Sequence, residues 1–574
     1  MFAGRRRLVF PIGAVLLILY LGYKLSVRRP EAGLWPEAQH PLHVNPKVLN
    51  DEDYFWRQIP TQYPVPPQSM RAFPQGPPVA LPKIQAEFPQ ETTSDRKLRL
   101  QRQAAVRSAF QRCWDAYVKH AWLQDEVTPL SASSKNTFGG WGATLVDSLD
   151  TLCIMGLRQE FDEAVTAVAA NISFETSSLT EINVFETTIR YLGGFLAAYD
   201  LSGDPRLLQK AREVGDMLYV AFDTPNHMPI TRWELGRATS GGKQQAAEWA
   251  LVAEIGSLCM EFTRLSLITN DQKWFSAAEN IMLALQKQQM ETKLPGLWPI
   301  SMVALSGGLL PHYGDMYTEA MKTAIKYNFF RPMVPDSADI LVSGIARTST
   351  ENGKPSVTVE TQGQHLVCFA GGMLAIGGKL LNESGHLTTA RKLVDGCIWA
   401  YENMPLGIMP EVFWMAPCDS DSDCPWDEKK WMQAVLERAG ADKYDIDSAA
   451  DLIKERRLPP GFTDIPDKRY VLRPEAIESV FIMYRTTGDP RLLEAAWAVF
   501  EAIQAVTKTD IANSAVADVT VASPAEVRQT DSMESFWMGE TLKYFYLVFS
   551  EPDLISLDEW VFNTEAHPFR RLLP

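Results

Sequence analysis

Tyr199-Asp-Leu-Ser-Gly-Asp-Pro-Arg-Leu-Leu208 decides how this chain is read, because the pattern returns as Tyr484-Arg-Thr-Thr-Gly-Asp-Pro-Arg-Leu-Leu493. An apolar helix stops at Gly, which takes a left-handed cap without strain. Asp then caps the next helix, and Pro sits in its first turn, where a missing N–H costs nothing. The motif is the elbow of a helical hairpin. Weaker copies are Leu267-Ile-Thr-Asn-Asp-Gln-Lys-Trp-Phe275 and Leu381-Asn-Glu-Ser-Gly-His-Leu387. Between elbows apolar residues recur at helical spacing, as in Val184-Phe-Glu-Thr-Thr-Ile-Arg-Tyr-Leu-Gly-Gly-Phe-Leu196. Strict alternation is rare, and Ser356-Val-Thr-Val-Glu360 is a short exception. At one helix pair per 55–70 residues, the roughly 475 residues after Asp95 hold about seven pairs. Repeated pairs must stack to bury their faces, in an open solenoid or a closed toroid, and the repeat alone does not choose.

Upstream of the helical body the texture changes. Arg5, Arg6 and Arg7 precede an uncharged stretch at residues 8–23, and Lys24, Arg28 and Arg29 follow it. Sixteen helical residues span about 24 Å, short for a hydrocarbon core of about 30 Å but suited to the thinner early secretory membranes. No small-x-small cleavage signal follows, so the stretch reads as an uncleaved signal anchor behind a cytoplasmic tail of residues 1–7. Flanking charges balance and leave orientation open. The bulk of the chain and the sequons Asn171-Ile-Ser173 and Asn382-Glu-Ser384 favour a single-pass type II protein with a lumenal body. Thirteen of the 37 prolines lie between Pro30 and Pro89. Residues 24–95 therefore read as an extended stem, parts of which can pack on the body at residues 96–574.

The chain has 574 residues, 46% hydrophobic and 22% charged, which is the composition of a globular protein. Its net charge of −15 argues against nucleic acid as a partner. The informative residues are acids within apolar helices: Asp147, Asp150, Glu186, Glu254, Asp315, Glu475, Glu478 and Glu540. Several begin their helices, so they would gather at one end of a ring of helix pairs. Each alone has an ordinary explanation; Glu186 and Arg190, for example, are spaced for an i,i+4 ion pair. A whole set is costly to bury unless it is paired or functional, and an acidic cup suits general acid and base hydrolysis.

Other motifs carry less. Asp419-Ser-Asp-Ser-Asp423 begins like a calcium loop but has Cys424 and Lys430 where an EF-hand needs Gly and Glu. It reads as a solvated acidic loop closed by Cys418 and Cys424. Gly139-Gly-Trp-Gly142 lacks the Gly-Lys-Ser/Thr of a phosphate loop, and no His-Glu-x-x-His is present. Cys113, Cys153 and Cys259 sit in apolar helical contexts as core residues. Cys368 and Cys397 are plausible partners in an oxidising lumen.

Several motifs together resemble glycoside hydrolase family 47, the class I α-1,2-mannosidases of the secretory pathway. They are Leu145-Val-Asp-Ser-Leu-Asp-Thr-Leu152, Phe185-Glu-Thr-Thr-Ile-Arg190 with Leu192-Gly-Gly194, and His365-Leu-Val-Cys-Phe369. They continue with Leu472-Arg-Pro-Glu-Ala-Ile-Glu-Ser479, Met533-Glu-Ser-Phe536, Gly539-Glu-Thr-Leu-Lys-Tyr544 and Val561-Phe-Asn-Thr-Glu-Ala-His-Pro568. The resemblance implies an all-α (α/α)7 barrel with minor β-hairpins, entered by the C-terminal segment. It implies a calcium-dependent, inverting exo-glycosidase acting on high-mannose N-glycans, with a catalytic domain expected to be monomeric.

By the same resemblance Glu186 falls on the general acid, Asp315 on a second essential acid and Glu475 on the general base. Thr564 falls on the Ca2+ ligand. Arg190, His365, Arg473, Glu478, Phe536, Glu540 and Glu565 match the sugar subsite, which Glu254 joins as a member of the acid set. Cys368 and Cys397 match the family disulfide. Members that stop after one mannose commonly carry Arg two residues before the essential Asp; here Tyr313 stands there, which suggests broader trimming. The sequence does not separate endoplasmic reticulum from Golgi. A competing reading is a lectin-like or degradation-signalling relative with the same barrel. Glu186, Asp315, Glu475 and Thr564 are expected to converge on one pocket.

Overall fold

A computed structural model describes residues 55–73, 81–298, 301–302, 312–351, 354–420 and 423–571. The predicted tail, the anchor at 8–23 and most of the stem lie outside them. Among the described residues no helix is long and apolar enough to cross a membrane.

The elbows fold as their residues dictate. Gly203 ends one helix at φ 73° and Gly488 another at φ 72°. The Asp204 carboxylate accepts the Arg206 N–H at 2.9 Å, and Asp489 accepts that of Arg491 at 3.0 Å. The two weaker elbows use Asn270 and Asn382, also at positive φ.

The helices are α1 (Thr93–His120), α2 (Leu149–Ile154), α3 (Arg158–Asn171), α4 (Gly193–Ser202), α5 (Pro205–Val220), α6 (Cys259–Thr269) and α7 (Lys273–Gln289). They continue with α8 (His312–Tyr327), α9 (Phe369–Leu380), α10 (Ser384–Glu402), α11 (Glu428–Ala439), α12 (Ile446–Arg456), α13 (Glu475–Thr487), α14 (Arg491–Thr507) and α15 (Leu542–Val548). They form the (α/α)7 barrel. The described inner helices are α2, α4, α6, α9, α13 and α15; α8 begins beside the α9–α10 elbow, with Tyr317 3.2 Å from His386, and runs in the direction of the outer helix α7. Every residue of α2 and α15 is buried, whereas outer helices bury a stripe, such as Phe161, Ala164, Val165 and Val168 of α3. Small residues let the ring close: a Cβ on Gly372 of α9 would meet Ile482 of α13, and one on Gly377 would meet Tyr317 of α8.

Strands are short. The longest hairpin pairs Ile345–Glu351 with Lys354–Glu360. The last hairpin pairs Trp560–Phe562 with Pro568–Arg570 and lies inside the barrel against α4. Gly193 and Gly194 make room for it: a Cβ on Gly193 would lie 2.6 Å from Asn563 Nδ2. Near the far end of α4, Arg570 N–H donates to Asp200 at 2.9 Å. The tip of the hairpin therefore points towards the beginnings of the inner helices.

The described stem residues lie on the body. The Trp56 indole N–H donates to Phe174 O at 2.9 Å, and Arg57 pairs with Asp216 at 2.8 Å. Asp223 accepts the N–H groups of Gln62 and Tyr63, each at 2.7 Å. Phe73 packs on Phe275, and Phe88 on Tyr484. Ile84 is buried, with its N–H 2.7 Å from Asp558.

Disulfides join Cys368 to Cys397 and Cys418 to Cys424. The first ties the start of α9 to α10; the second closes the acidic loop. Cys113 and Cys153 are buried and free, and Cys259 is free and partly buried.

Candidate active site

Inner helices of stacked hairpins run parallel, so residues that begin them share one end of the barrel. Glu186 ends the short helix Val184–Glu186, which passes through a π-helical stretch, Thr187–Leu192, into α4. Asn183 caps this run by accepting the Phe185 N–H at 3.0 Å. Glu475 and Glu478 lie in the first turn of α13, and Glu540 lies in a second π-helical stretch, Trp537–Thr541, that precedes α15. A π-turn places one extra residue in the turn and so re-aims its side chains; here the two stretches carry Arg190 and Glu540.

Arg190 is the hub. Its guanidinium donates to Glu186 at 2.9 Å, to Ser535 at 3.1 Å, to Asp147 at 3.3 Å and to Glu565 of the C-terminal hairpin. It also lies over Phe138, 4.4 Å from the ring centroid, and 6.0 Å from that of Phe536. Burial disfavours its charge, yet Glu565, Glu186 and Asp147 outweigh this and hold it firmly protonated. The Glu186–Arg190 pair is thus one edge of a buried network.

Across the cup, Glu475 is gripped twice. His365 Nδ1 lies 2.9 Å from its carboxylate, and the other ring nitrogen lies 2.6 Å from the Tyr401 hydroxyl. Arg473 lies 3.5 Å from Glu475 and donates to Glu411 at 2.6 Å. His365 is fully buried, so neither partner can be exchanged for water.

The remaining carboxyl groups repel one another. Burial pushes Glu478 up to about 8, with Glu475 adding to it. Burial and the charges of Asp147 and Glu186 push Glu565 up to about 8 although Arg190 opposes them. Glu540 is raised well above the carboxylate range by burial and then by Glu565 and Glu475. Glu186, Glu475, Glu478, Glu540 and Glu565 thus share the cup with Arg190 and Arg473.

Thr564 sits exposed at the hairpin tip, beside the buried Glu565. The turn is held from below. Asn563 Oδ1 accepts the N–H groups of Glu565 at 3.0 Å and His567 at 2.8 Å, while its amide donates to Ile189 O and to Glu261. His567 lies 2.8 Å from Asp150, which also accepts Lys543 at 2.8 Å. Asp147 and Asp150 from the sequence-level acid set therefore serve as supports: one holds Arg190, the other holds His567 and Lys543.

Two predicted residues stand apart. Glu254 is joined to the cup through Arg232, which donates to it at 2.7 and 3.0 Å and lies in the field of Glu186. Asp315 is exposed in the first turn of α8. The neighbouring residues lie by the elbow between α9 and α10: a Cβ on Gly314 would be 3.9 Å from Leu381, and the Tyr317 hydroxyl lies 3.2 Å from His386. Asp315 therefore sits at the opposite end of the barrel from the cup and does not converge with Glu186 and Glu475 as expected. The reason is that α8 starts at the elbow end and runs in the direction of the outer helices. Tyr313, two residues earlier, donates to Glu279 at 3.3 Å.

Sequence reading missed Glu411, Tyr401, Asn563, Lys543 and Glu261. Glu411 precedes a strand and has no helical spacing to mark it. Lys543 stands out only in retrospect, as a cation buried in a fully buried helix.

Residues 109–307 and 300–571 match the model of glycosyl hydrolase family 47. The chain belongs to that family. The human endoplasmic reticulum mannosyl-oligosaccharide 1,2-alpha-mannosidase is 31% identical over 89% of this chain and 67% of its own length. A mannosyl-oligosaccharide 1,2-alpha-mannosidase of Arabidopsis thaliana is 31% identical over 82% of this chain and 79% of its own. The solved alpha-1,2-mannosidase from Trichoderma reesei superposes with a TM-score of 0.68 at 29% identity, covering 82% of this chain and 99% of its own. Family members are glycosidases, and the acidic end of the barrel is where this one has the groups for such chemistry.

Proposed function

We propose that this protein is a calcium-dependent, inverting exo-glycosidase that removes α-1,2-linked mannose from high-mannose N-glycans. The observation that carries the reading is the meeting of Glu186, Arg190, Glu475 and the Thr564–Glu565 tip at one end of the barrel. Inversion needs one carboxylic acid to protonate the leaving oxygen and one carboxylate to take a proton from the attacking water on the opposite face. Glu475 suits the base: His365, 2.9 Å away, and Arg473, 3.5 Å away, fix its orientation. Glu186 suits the acid. Arg190, Glu254, Glu478, Phe536, Glu540 and Glu565 would line the sugar pocket.

The residues fit a calcium ion. Among the described residues no cluster of three or more His, Cys, Asp and Glu forms a metal cage, so the donors would be the hydroxyl and carbonyl oxygens of Thr564, with waters and sugar hydroxyls. Calcium accepts such a hard-oxygen set. The raised acids beneath the tip support the fit, since a nearby divalent cation relieves the repulsion that otherwise keeps them protonated. When bound, the ion would orient the mannose ring through two hydroxyls.

The disulfides, the exposed sequon residues Asn171 and Asn382 and the relatives' endoplasmic reticulum designation support a lumenal body on a type II anchor at residues 8–23. Mannose released from a nine-mannose glycan, assayed with calcium and with a chelator, tests the reading. Chelator-sensitive release is expected, and Glu475→Gln should lower kcat by roughly 10²–10⁴-fold. Glycan binding without release would favour the degradation-signalling, lectin-like alternative. Product length would report whether Tyr313 goes with broad trimming.

A further inference from the structure

Trp249 is 68% exposed and Leu251 is 39% exposed, while Ala250 between them is buried at 5%. Side chains alternate along an extended chain, so Trp249 and Leu251 share one face. Their backbone is not a loose loop: Ala250–Leu251 pairs with Ser301–Met302 and runs directly into the short helix Val252–Gly256. That helix carries Glu254, which is clamped by Arg232 beside Glu186. An apolar shelf thus begins three residues from a group of the acidic cup.

We propose that Trp249 and Leu251 form a sugar-binding ledge for the part of the glycan that stays behind after cleavage. This rests on the functional reading above. Scattered apolar residues on a surface need no explanation, but two on one face, continuous with a polar pocket, make a binding surface. The chemistry fits a pyranose. A sugar is neutral and presents a face of C–H bonds, whose partial positive charge packs on the electron-rich face of indole, while its hydroxyls reach the carboxylates next door. The side follows from Glu254 and Arg232, which stand by Glu186, the proposed donor to the leaving oxygen. The ledge therefore faces the leaving group, beyond the scissile bond, where contacts help select among branches of a large substrate.

The test uses the full chain carrying Trp249→Ala, Trp249→Phe or, as a control, Tyr444→Ala, which removes a similarly exposed aromatic (74%) from the segment between α11 and α12. Each is assayed on a nine-mannose glycan and on α-1,2-linked mannobiose. For Trp249→Ala the ratio of kcat/KM between glycan and disaccharide should fall about tenfold, mainly through KM for the glycan. Trp249→Phe, which keeps a ring, should recover most of the ratio, and Tyr444→Ala should leave it unchanged. An unchanged ratio in Trp249→Ala overturns the ledge, as does an equal loss on both substrates. So does a change confined to sedimentation, which would make the shelf a contact between copies. If the unsubstituted chain neither binds nor cleaves either sugar, the functional reading itself fails; if it is active and indifferent to Trp249, only the ledge does.

Discussion

At the scale of residues, the cup is an electrostatic compromise. Glu478 shows it most simply, raised to about 8 by burial and by Glu475. A carboxyl whose folded pKa exceeds its unfolded value binds more protons when folded. It therefore stabilises the fold at low pH and loses that contribution as pH rises from the ordinary carboxylate range to about 8. Glu478→Gln mimics the protonated acid at every pH. Its melting temperature relative to the parent should climb between pH 5 and pH 9 without metal; a constant difference would show that Glu478 titrates normally. Asp150 shows the opposite solution, since Lys543 and His567 share its charge. Lys543→Met should cost about 3–5 kcal/mol, because it leaves Asp150 buried with one partner fewer; chemical denaturation measures this.

At the scale of elements, small residues decide where helices and the hairpin can meet. Gly193→Ala would drive a methyl group to 2.6 Å from Asn563 and 3.0 Å from His567. It should destabilise by about 1–3 kcal/mol and disturb the tip that presents Thr564. Gly385, in α10, has nothing within 4 Å of its Cβ position. Gly385→Ala should be neutral or stabilise by about 0.5–1 kcal/mol through the unfolded state. Equal thermal shifts in the two variants would refute the packing explanation. The elbows at Gly203 and Gly488 could be read in advance because helix caps are local: each depends on a few consecutive residues. The π-helical stretches at Thr187–Leu192 and Trp537–Thr541 could not, because one extra residue in a turn leaves no mark in a hydrophobic pattern.

At the scale of the whole molecule, both ends of the described chain are fastened to the barrel. Residues 55–73 and 81–92 follow its outside, with Trp56 only 3% exposed and its ring 5.5 Å from that of Trp233. Trp56→Ala should cost about 3–5 kcal/mol, and a chain starting at residue 93 should melt well below one starting at residue 55. Equal melting would mean that the contacts add nothing. Removal of everything from Val561 onward should abolish activity, since Thr564, Glu565 and the seal formed by His567 leave together; full activity would sink the calcium role of Thr564.

The sequence by itself determined the helical hairpins, their approximate number, the disulfide closing the acidic loop and the unusual acids at helix starts, because these follow from neighbours along the chain. The ordered motifs supplied the family and the list of site residues. Only the tertiary structure decided which acids meet. It separated Asp147 and Asp150, bound into the supports, from Glu478, Glu540 and Glu565, which repel one another in the cup. It joined Glu186 to Glu565 through Arg190, across 379 positions of sequence (565 − 186). It also laid the described part of the Pro-rich segment on the barrel. A carboxylate's charge depends on burial and on partners brought from distant helices, and that information exists only once the ring has closed.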